Sequence, residues 1–459
     1  MEMTGKEIEK ATGGTLIQGD PDTKVSGITI DSREITPGDW FVPLEGEDTD
    51  GHNYIHDALS RGAAGSFISW EIDPGEHRDA LLVKVKDPLK ALQELSRYHR
   101  RKHSVKVVGV TGSSGKTTTK DLIASVLAQN FRVLKTEGNL NNEIGLPLML
   151  LQLKKEHQVA VLEMGMSSRG EIELLTRLAA PQWGVITNIG EAHLEILGSK
   201  EEIALAKGEL LENMEPEGTA LLNGDDPFLS EAGKRFKGKT YYFGKGEHND
   251  FRFMNYSVSR GGSSFRVKFP GMKETRLFQI PLHGKHHAGN ALSALALGYL
   301  LGIEPEAMQR GLNVGEFTWG RMELKESSIP GVKIIDDSYN ANPDSVKASL
   351  EVMQELGVPG KTVLVLGDML ELGSVSEEKH REIGRMVARQ GAAKLVTVGN
   401  WSRYTSEEAS HGGVASYHFE DADSALKYLE ELQLEEGAWV LVKGSRGIKL
   451  DEIVRKMTL

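Results

Sequence analysis

"TGSSGKTTTK" at residues 111–120 decides the fold of this chain. It follows the apolar run "VKVVGV" and precedes "KDLIASVLAQN", in which apolar residues recur at the spacing of one helix face. A strand, a glycine-rich turn and a helix in this order predict a phosphate-binding loop, because free N–H groups at a helix N-terminus attract phosphate oxygens. Lys116 adds positive charge, and the Thr117 hydroxyl can reach Mg²⁺. A Gly-Ser turn that merely caps a helix is the competing interpretation.

The spacing of this loop differs from that of the widespread P-loop. The common motif needs a glycine five residues before the glycine of the Gly-Lys pair. Here the pair is Gly115-Lys116, and position 110 is Val. We therefore predict a phosphate loop that belongs to a different set of enzymes. The predicted nucleotide contacts in it are Thr111, Gly112, Ser113, Ser114, Gly115, Lys116, Thr117 and Thr118.

Length and composition restrict the class of protein. The chain has 459 residues, a formal net charge of −12 and no cysteine. This length predicts roughly three domains. The missing cysteine excludes disulfides, thiolate metal sites and cysteine nucleophiles, and the negative charge argues against a nucleic-acid partner. No apolar run approaches the roughly 18 residues of a membrane span, and the N-terminus lacks the layout of a secretory signal, so we expect a cytoplasmic protein.

Three segments of the chain differ in pattern, and together they predict an α/β fold of three domains. Residues 1–103 hold short strands and one helix, which predicts a small α/β domain. Residues 104–318 alternate buried strands such as "HQVAVLEMG" with amphipathic helices, which predicts a central P-loop-type ATPase domain with helices on both sheet faces. Within it, residues 250–282 alternate and predict hairpins. Residues 319–459 repeat the strand–helix alternation and predict a Rossmann-like domain.

Candidate functional residues follow two of the predicted strands, where open α/β sheets bind ligands. Glu163 ends the strand in "VAVLEMG", where a charge is costly unless it is paired or binds metal. It is either a Mg²⁺ ligand or a strand-end carboxylate that faces solvent. The stretch "IIDDSYNANPDS" offers Asp337, Asn340 and Asn342, which suit ribose hydroxyls and base edges. An Asx-rich turn explains the same residues.

The C-terminal part of the sequence carries further candidates for anion binding. Arg321 in "WGRMEL" can clamp a phosphate or form a surface ion pair. Lys443 and Arg446 lie in "VKGSRG" at the end of a predicted strand. Small residues there let a ligand approach the backbone, so this is a plausible anion site.

Other polar residues are weaker signals when taken singly. Ser32, Arg33 and His52 lie among glycines and polar residues near the N-terminus and form a second candidate anion site. His193 and Lys207 are separated by 14 positions, so helix periodicity does not align them. A lone histidine is usually structural, and a lone lysine usually lies on a solvated face.

In combination these residues resemble the Mur ligase family, the ATP-dependent amide-forming enzymes of peptidoglycan precursor synthesis. The family's phosphate loop is Thr-Gly-x-x-Gly-Lys-Thr, so the unusual spacing is its normal form. Ser114 stands where many members have Asn, and "GIKLDEIV" after "VKGSR" departs from the usual run of Met and acidic residues. The resemblance covers essentially the whole chain and runs through "DSREITPGD", "DGH", "VTGSSGKTTTK", "EGNLNNEIGLP", "LEMG", "TNIGEAHLE" with "AKGE", "GKHHAGNALSALA", "GRME", "DDSYNANP", "LGDMLELG" and "VKGSRG".

The resemblance implies roles for these positions. Lys116 and Thr117 would hold the ATP phosphates and Mg²⁺, and Glu163 and His193 would bind Mg²⁺. Lys207 would be carried as a carbamate, whose carboxylate ligates a second Mg²⁺. The remaining implied contacts are Asn290, Arg321, Asp337 and Asn340 for the nucleotide, with Asn342 nearby, Ser32, Arg33 and His52 for a UDP group, and Asn139 and Asn142 for a muramoyl substrate.

Two motifs favour one branch of the family. "DDSYNANP" and "LGDMLELG" resemble the branch that joins D-alanyl-D-alanine to UDP-N-acetylmuramoyl-tripeptide, whereas the "DYAHTPD" and "DNPR" elements of the diamino-acid-adding branch are absent from the sequence. The resemblance implies an acyl-phosphate intermediate, closure of the domains around the substrates and a monomeric enzyme of cell-wall synthesis. Another Mur ligase or a folylpolyglutamate synthetase-like enzyme, a nucleotide switch or ATP-driven binding protein, and a kinase are the alternatives.

Overall fold

The computed structural model describes residues 2–46, 48–73, 75–259, 261–315, 318–356 and 360–458. Three large sheets organise this part of the chain, and each is built from one continuous segment of sequence. The predicted α/β fold class is confirmed. The elements of the first segment are β1 (Met3–Thr4), α1 (Gly5–Thr12), β2 (Thr15–Gln18), β3 (Lys24–Val25), β4 (Gly27–Thr29), β5 (Asp39–Phe41), α2 (Ile55–Ser60), β6 (Gly65–Ile68), β7 (Leu81–Lys84) and α3 (Pro88–Arg101).

The first segment forms a five-stranded sheet in the order β2-β7-β6-β5-β4, beside a small β1-β3 ribbon. Its strands are parallel apart from β2. Arg100, near the end of α3, is buried and donates to the carbonyls of Ala179 and Val105 at 2.9 and 3.2 Å. The basic end of this helix therefore fastens the first segment to the second.

The second segment forms a nine-stranded sheet in the order β16-β15-β14-β13-β12-β11-β8-β10-β9. Strands β8 to β14 run parallel, and β14, β15 and β16 form the predicted antiparallel hairpins. The elements are β8 (Lys106–Thr111), α4 (Lys116–Leu127), β9 (Val133–Lys135), α5 (Gly145–Leu151), β10 (Val159–Glu163), α6 (Glu171–Ala179), β11 (Trp183–Ile186), α7 (Leu194–Leu197), α8 (Lys200–Asn213), β12 (Thr219–Asn223), α9 (Pro227–Arg235), β13 (Lys239–Gly244), β14 (Phe251–Ser259), β15 (Gly262–Lys268), β16 (Arg276–Ile280), α10 (Lys285–Leu300) and α11 (Pro305–Val314).

Helices cover both faces of this central sheet. One apolar core packs α4, α10 and α11 against it, and the other packs α5, α6, α8 and α9. The chain runs from β8 outward to β9 and returns through β10, then continues on the other side with β11. The carboxyl end of β8 is therefore a topological switch point, the place where such sheets leave a crevice for ligands.

The third segment forms a six-stranded sheet in the order β17-β18-β22-β19-β20-β21, parallel apart from β17. Buried apolar residues pack on both of its faces. No helix in the described ranges is both long and apolar enough to cross a membrane. The elements are β17 (Glu323–Glu326), β18 (Lys333–Asp336), α12 (Pro343–Leu356), β19 (Thr362–Gly367), α13 (Ser376–Gln390), β20 (Lys394–Val398), α14 (Ser402–His411), β21 (Ala415–Phe419), α15 (Ala422–Glu431), β22 (Trp439–Lys443) and α16 (Asp451–Met457).

A buried acid anchors the chain at the junction of the second and third segments to the phosphate-loop helix. Asp121 in α4 is 1% exposed, and its Oδ1 lies 2.7 Å from Lys120 Nζ and 3.1 Å from Lys135 Nζ. Its Oδ2 accepts from the backbone N–H and the hydroxyl of Thr318, at 3.0 and 2.9 Å. Lys120 is itself 1% exposed, so removal of Asp121 leaves this buried ammonium without the counter-ion it contacts.

Asp121→Ala is expected to lower the free energy of unfolding by about 3–5 kcal/mol, since Lys120 then stays buried and uncompensated. Urea denaturation followed by circular dichroism measures the loss. Asp79→Ala, at an exposed position, is the matched control. A change within about 0.5 kcal/mol for Asp121→Ala, the range of an ordinary surface substitution, contradicts the anchoring role.

Candidate active site

The phosphate loop joins β8 to α4 as the sequence predicted, and two glycines shape it. Gly112 and Gly115 have φ angles of 151° and 77°, which other residues rarely adopt. A Cβ on Gly112 would lie 1.9 Å from Thr187 Oγ1, and one on Gly115 would lie 2.8 Å from Asn290 Oδ1. These contacts explain the glycine at each position, and they place Asn290 directly against the loop.

Lys116 is the first residue of α4, and its side chain folds back across the loop. Its Nζ donates to the carbonyl of Gly112 at 2.9 Å. Burial lowers the pKa of this ammonium, although the nearby Glu163 carboxylate opposes the effect. The hydroxyl of Thr117 accepts from Arg321 Nη2 at 3.3 Å. A cation from the third segment therefore reaches the loop.

A cavity of about 570 Å³ opens on this loop. Its walls come from the second and third segments of the chain. Of the residues that the sequence predicted, those lining it are Ser113, Ser114, Gly115, Lys116, Thr117, Asn142, Glu163, His193, Arg321, Asn340, Asn342 and Arg446. Residues from distant parts of the sequence thus share one pocket.

Glu163 ends β10 beside the loop, because β10 pairs with β8 and Glu163 lies in register with Val110. The side chain is 3% exposed, and its Oε1 accepts from Asn141 Nδ2 at 2.8 Å. Its Oε2 is buried and has no hydrogen-bond partner in the described structure. A buried carboxylate oxygen without a donor fits a bound cation.

The candidate ligands in this cavity fit an Mg²⁺ ion that is bound partly by protein and partly by substrate phosphates better than a cation bound by protein alone. Within the described residues, no three His, Asp or Glu side chains are grouped closely enough to hold a metal by themselves. Mg²⁺ is commonly bound through one or two carboxylates together with substrate phosphates and water. Glu163, the hydroxyl of Thr117 and His193 all face the same cavity and are the residues available for it.

His193 is the N-cap residue that precedes α7, and its φ of 59° is a left-handed conformation that is uncommon outside glycine. Its Nδ1 lies 2.5 Å from Oε2 of Glu371, in the turn after β19 of the third segment. The contact with His193 holds the pKa of the Glu371 carboxyl below its ordinary value. Glu371 lies in "LGDMLELG", but it is not among the predicted site residues, because nothing in the local sequence shows that this turn reaches another domain.

Lys207 is buried in α8, with 1% of its surface exposed. It forms no ion pair with any residue that the structure describes. Burial lowers the pKa of its amine well below the ordinary value, and repulsion from Lys116 acts in the same direction. It does not line the cavity, but it lies within electrostatic range of the phosphate loop.

Asp337 and Lys443 lie next to each other at the ends of β18 and β22. Lys443 Nζ donates to Asp337 Oδ2 at 2.7 Å and to the carbonyl of Asn340 at 3.0 Å. The same carboxylate accepts from Ser349 Oγ at 2.6 Å. Both side chains are buried and form an ion pair with each other, and neither lines the cavity. Their assignment as ligand contacts stays a prediction.

The third segment docks directly on the phosphate loop and its neighbours. Asn342 Nδ2 donates to Ser114 Oγ at 3.1 Å. Asp344 accepts from the backbone N–H of Glu191 at 2.9 Å, and the Glu191 carboxylate lies 2.7 Å from Lys379 Nζ. These contacts join the third segment to the phosphate loop and to the turn after β11.

The remaining predicted residues lie elsewhere. Ser32 is buried, and Arg33 folds onto Asp31, with Nη2 2.6 Å from the carboxylate. His52 Nδ1 lies 2.7 Å from Asp50, and its Nε2 accepts from the Ser69 N–H at 3.2 Å. A second cavity, of about 840 Å³, opens between β4 and α5 and includes Asp31. The UDP contacts proposed for Ser32, Arg33 and His52 stay predictions.

In the asparagine-rich loop "GNLNNEIG", the contacts of the individual asparagines differ from those expected. Asn139 is exposed, and Asn142 Oδ1 accepts from the Gly145 N–H at 2.8 Å at the start of α5. Asn141, which sequence reasoning passed over, holds Glu163. Three asparagines in one short loop were the available signal, but spacing alone does not tell which of them faces the site.

Fold and site together define a nucleotide-binding α/β enzyme whose phosphate loop faces a second α/β domain. Three family models match the chain: "Mur ligase family, catalytic domain" at residues 24–100, "Mur ligase middle domain" at 110–298 and "Mur ligase, glutamate ligase domain" at 320–446. The chain is 39% identical to the UDP-N-acetylmuramoyl-tripeptide–D-alanyl-D-alanine ligase of Bacillus subtilis, over 100% of this chain and 98% of the relative. The chain belongs to the Mur ligase family.

Solved structures agree with this assignment. MurF from Acinetobacter baumannii superposes with a TM-score of 0.90 at 32% identity, covering 99% of this chain and 98% of that one. MurF ligase from Thermotoga maritima, solved in complex with ADP, gives a TM-score of 0.82 at 29% identity, covering 94% and 97%. The similarity therefore extends over all three sheets.

Proposed function

We propose that this chain is an ATP-dependent ligase that joins D-alanyl-D-alanine to UDP-N-acetylmuramoyl-tripeptide, and so makes the pentapeptide precursor of peptidoglycan. Full-length similarity to ligases of that name supports the choice of substrates. The observation that carries the chemistry is the unpartnered, buried Oε2 of Glu163 beside the phosphate loop. A phosphate site with a cation ligand at its edge is suited to phosphoryl transfer.

The proposed reaction has two steps. A carboxylate oxygen of the tripeptide attacks the γ-phosphorus of ATP, the bond to the β-phosphate oxygen breaks, and ADP leaves. The amine of D-alanyl-D-alanine then attacks the acyl carbon, loses a proton and expels inorganic phosphate. Activation is needed because a free carboxylate is a poor electrophile.

The protein contributes position and charge to these steps. The N-terminal N–H groups of α4 bind phosphate oxygens, and Lys116 Nζ turns from the Gly112 carbonyl toward the transferred phosphate. Arg321, next to Thr117, adds a second positive charge. Mg²⁺ held by Glu163, Thr117 and His193 would neutralise the charge on the phosphates.

We also propose that Lys207 carries a carbamate and that its carboxylate holds a second Mg²⁺. Carbamate formation needs an uncharged amine, which attacks CO₂ and releases a proton. Burial and the depressed pKa of Lys207 supply that form of the amine. In the absence of any ion-pair partner among the described residues, the amine is free for this chemistry.

Three functional units follow from this proposal. Residues 1–103 bind the UDP substrate through Ser32, Arg33 and His52. Residues 104–318 bind ATP, and residues 319–459 close on it and complete the site. The enzyme acts in the cytoplasm as a monomer.

Phosphate release should require UDP-N-acetylmuramoyl-tripeptide and D-alanyl-D-alanine together. The expected result is steady release of one phosphate per peptide bond formed, with little release when either substrate is omitted, because the acyl phosphate needs an amine acceptor. A coupled phosphate assay with mass spectrometry of the product measures both quantities. Release with a single amino acid in place of the dipeptide would point to another ligase of the family, and a stable phosphorylated product would indicate a kinase.

A further inference from the structure

The turn that contains Glu371 is fitted closely to the start of α7 in the second segment. The Glu371 carbonyl accepts from the backbone N–H of Glu195 at 3.1 Å. A Cβ on Gly373 would lie 3.0 Å from the Cα of Glu195, so the two backbones are in close contact. Leu372 belongs to an apolar core against which Leu194 packs. The third segment therefore places Glu371 next to His193 through its backbone as well as its side chain.

The side chain of Glu371 faces the cavity of the phosphate loop and meets His193 there. Oε2 lies 2.5 Å from Nδ1 of the ring, within the distance of an ion pair. More than half of the Glu371 side chain, 55%, remains exposed. In the described ranges no other carboxylate forms an ion pair with His193. The partner of this ring thus comes from a different sheet of the molecule.

A neutral imidazole ligates a cation through one nitrogen while the other carries the proton. Histidine ligands in proteins almost always donate that second N–H to a carboxylate or carbonyl, which selects the tautomer and orients the ring. With Nδ1 next to Glu371, the lone pair is left on Nε2. Mg²⁺ prefers oxygen ligands, so an imidazole contributes to its site only where the ring is held in place.

We infer that Glu371 is a positioning residue that orients His193 for the cation site, and that it does so only while the third segment is docked. The inference rests on the proposed function. The contact between Glu371 and His193 would couple docking of the third segment to binding of the cation. Docking of the third segment favours cation binding, and by thermodynamic reciprocity cation binding favours docking.

The direct test is the tautomer of His193 in protein without cation or nucleotide. Long-range ¹⁵N–¹H spectra of ¹⁵N-histidine-labelled protein report it, and His193→Gln identifies the signal among the 14 histidines. In alkaline buffer, where free imidazole is uncharged, the wild type is expected to carry the proton on Nδ1. Glu371→Ala should shift the ring toward a mixture of tautomers, and Glu371→Gln should keep the wild-type form because its amide oxygen still accepts.

The second readout is the Mg²⁺ concentration that gives half-maximal phosphate release. Glu371→Ala should raise it about 10- to 100-fold, the usual effect of removing a partner of a metal-bound histidine. Glu371→Gln should restore most of the loss. Glu195→Gln is the matched control, since this exposed glutamate lies in the same contact and its side chain forms no ion pair with described residues. Its Mg²⁺ dependence should equal that of the wild type.

An unchanged tautomer together with unchanged Mg²⁺ dependence in Glu371→Ala would overturn the inference. An equal effect of Glu195→Gln would overturn it too, because a general loss of negative charge would then explain the result. Melting temperatures show whether a variant has unfolded, and Glu371→Gln provides the comparison if Glu371→Ala has. If the wild type releases no phosphate with its two substrates, the proposed function fails, while the tautomer still decides the inference.

Discussion

Lys116→Met is expected to lower turnover by about 10³-fold, or about 4 kcal/mol of activation free energy. Methionine has a similar length and no charge, so the change removes the ammonium and little of the packing. The ammonium lies on the loop, where the Gly112 carbonyl is its one acceptor among the residues that the structure describes, and it can turn to the transferred phosphate. Most of its effect should appear in kcat, because the negative charge develops in the transition state.

The measurement is amine-dependent phosphate release at saturating substrates. Lys106→Met is the control, since Lys106 begins the same strand at an exposed position. Because burial already lowers the pKa of Lys116, loss of its charge should not lower the melting temperature. Turnover within tenfold of the wild type, in protein with a normal melting temperature, would remove Lys116 from the phosphate site.

Lys207→Ala is expected to abolish measurable ligation, and small carboxylates such as formate or acetate should restore part of it. The physical reason is the proposed carbamate: without the amine no carboxylate forms in this buried place, and a free carboxylate can partly substitute for it. The wild type should also lose activity when bicarbonate and CO₂ are removed, and regain it when they are returned.

The control for this variant is Lys234→Ala, which removes a lysine with a side chain that is 70% exposed and should leave activity unchanged. Mass spectrometry under mild conditions detects the carbamate itself. Near-normal turnover of Lys207→Ala would refute the carbamate role. Loss of activity without any rescue, combined with no bicarbonate dependence in the wild type, would also refute it and leave a packing role for Lys207.

The local sequence pattern was enough to predict the main secondary-structure elements of this protein and its phosphate loop. The alternation of strands and helices, the hairpins at residues 250–282 and the strand–loop–helix around Lys116 were all readable from the sequence. Each of them depends on residues that are neighbours in the chain. The strand-end position of Glu163 was equally readable, because an apolar run that ends in a charge marks its own boundary.

Contacts between residues of different sheets could not be predicted from the sequence in the same way. Sequence reasoning rated His193 and Lys207 as weak, and only the family resemblance raised them. In the structure His193 is next to Glu371 from another sheet. Lys207 is buried in a helix that the sequence shows as charged. Neither fact follows from periodicity, because both depend on how separate segments pack.

The sequence by itself determined the α/β class, the phosphate loop and, through its motifs, the family of this protein. Only the tertiary structure decided that Asp337 and Lys443 form an ion pair with each other and that Asn141 donates a hydrogen bond to Glu163. It also placed Glu371 in the same cavity as the phosphate loop. Backbone propensity and side-chain period act over a few residues, whereas the charge and burial of a site depend on contacts between segments hundreds of residues apart.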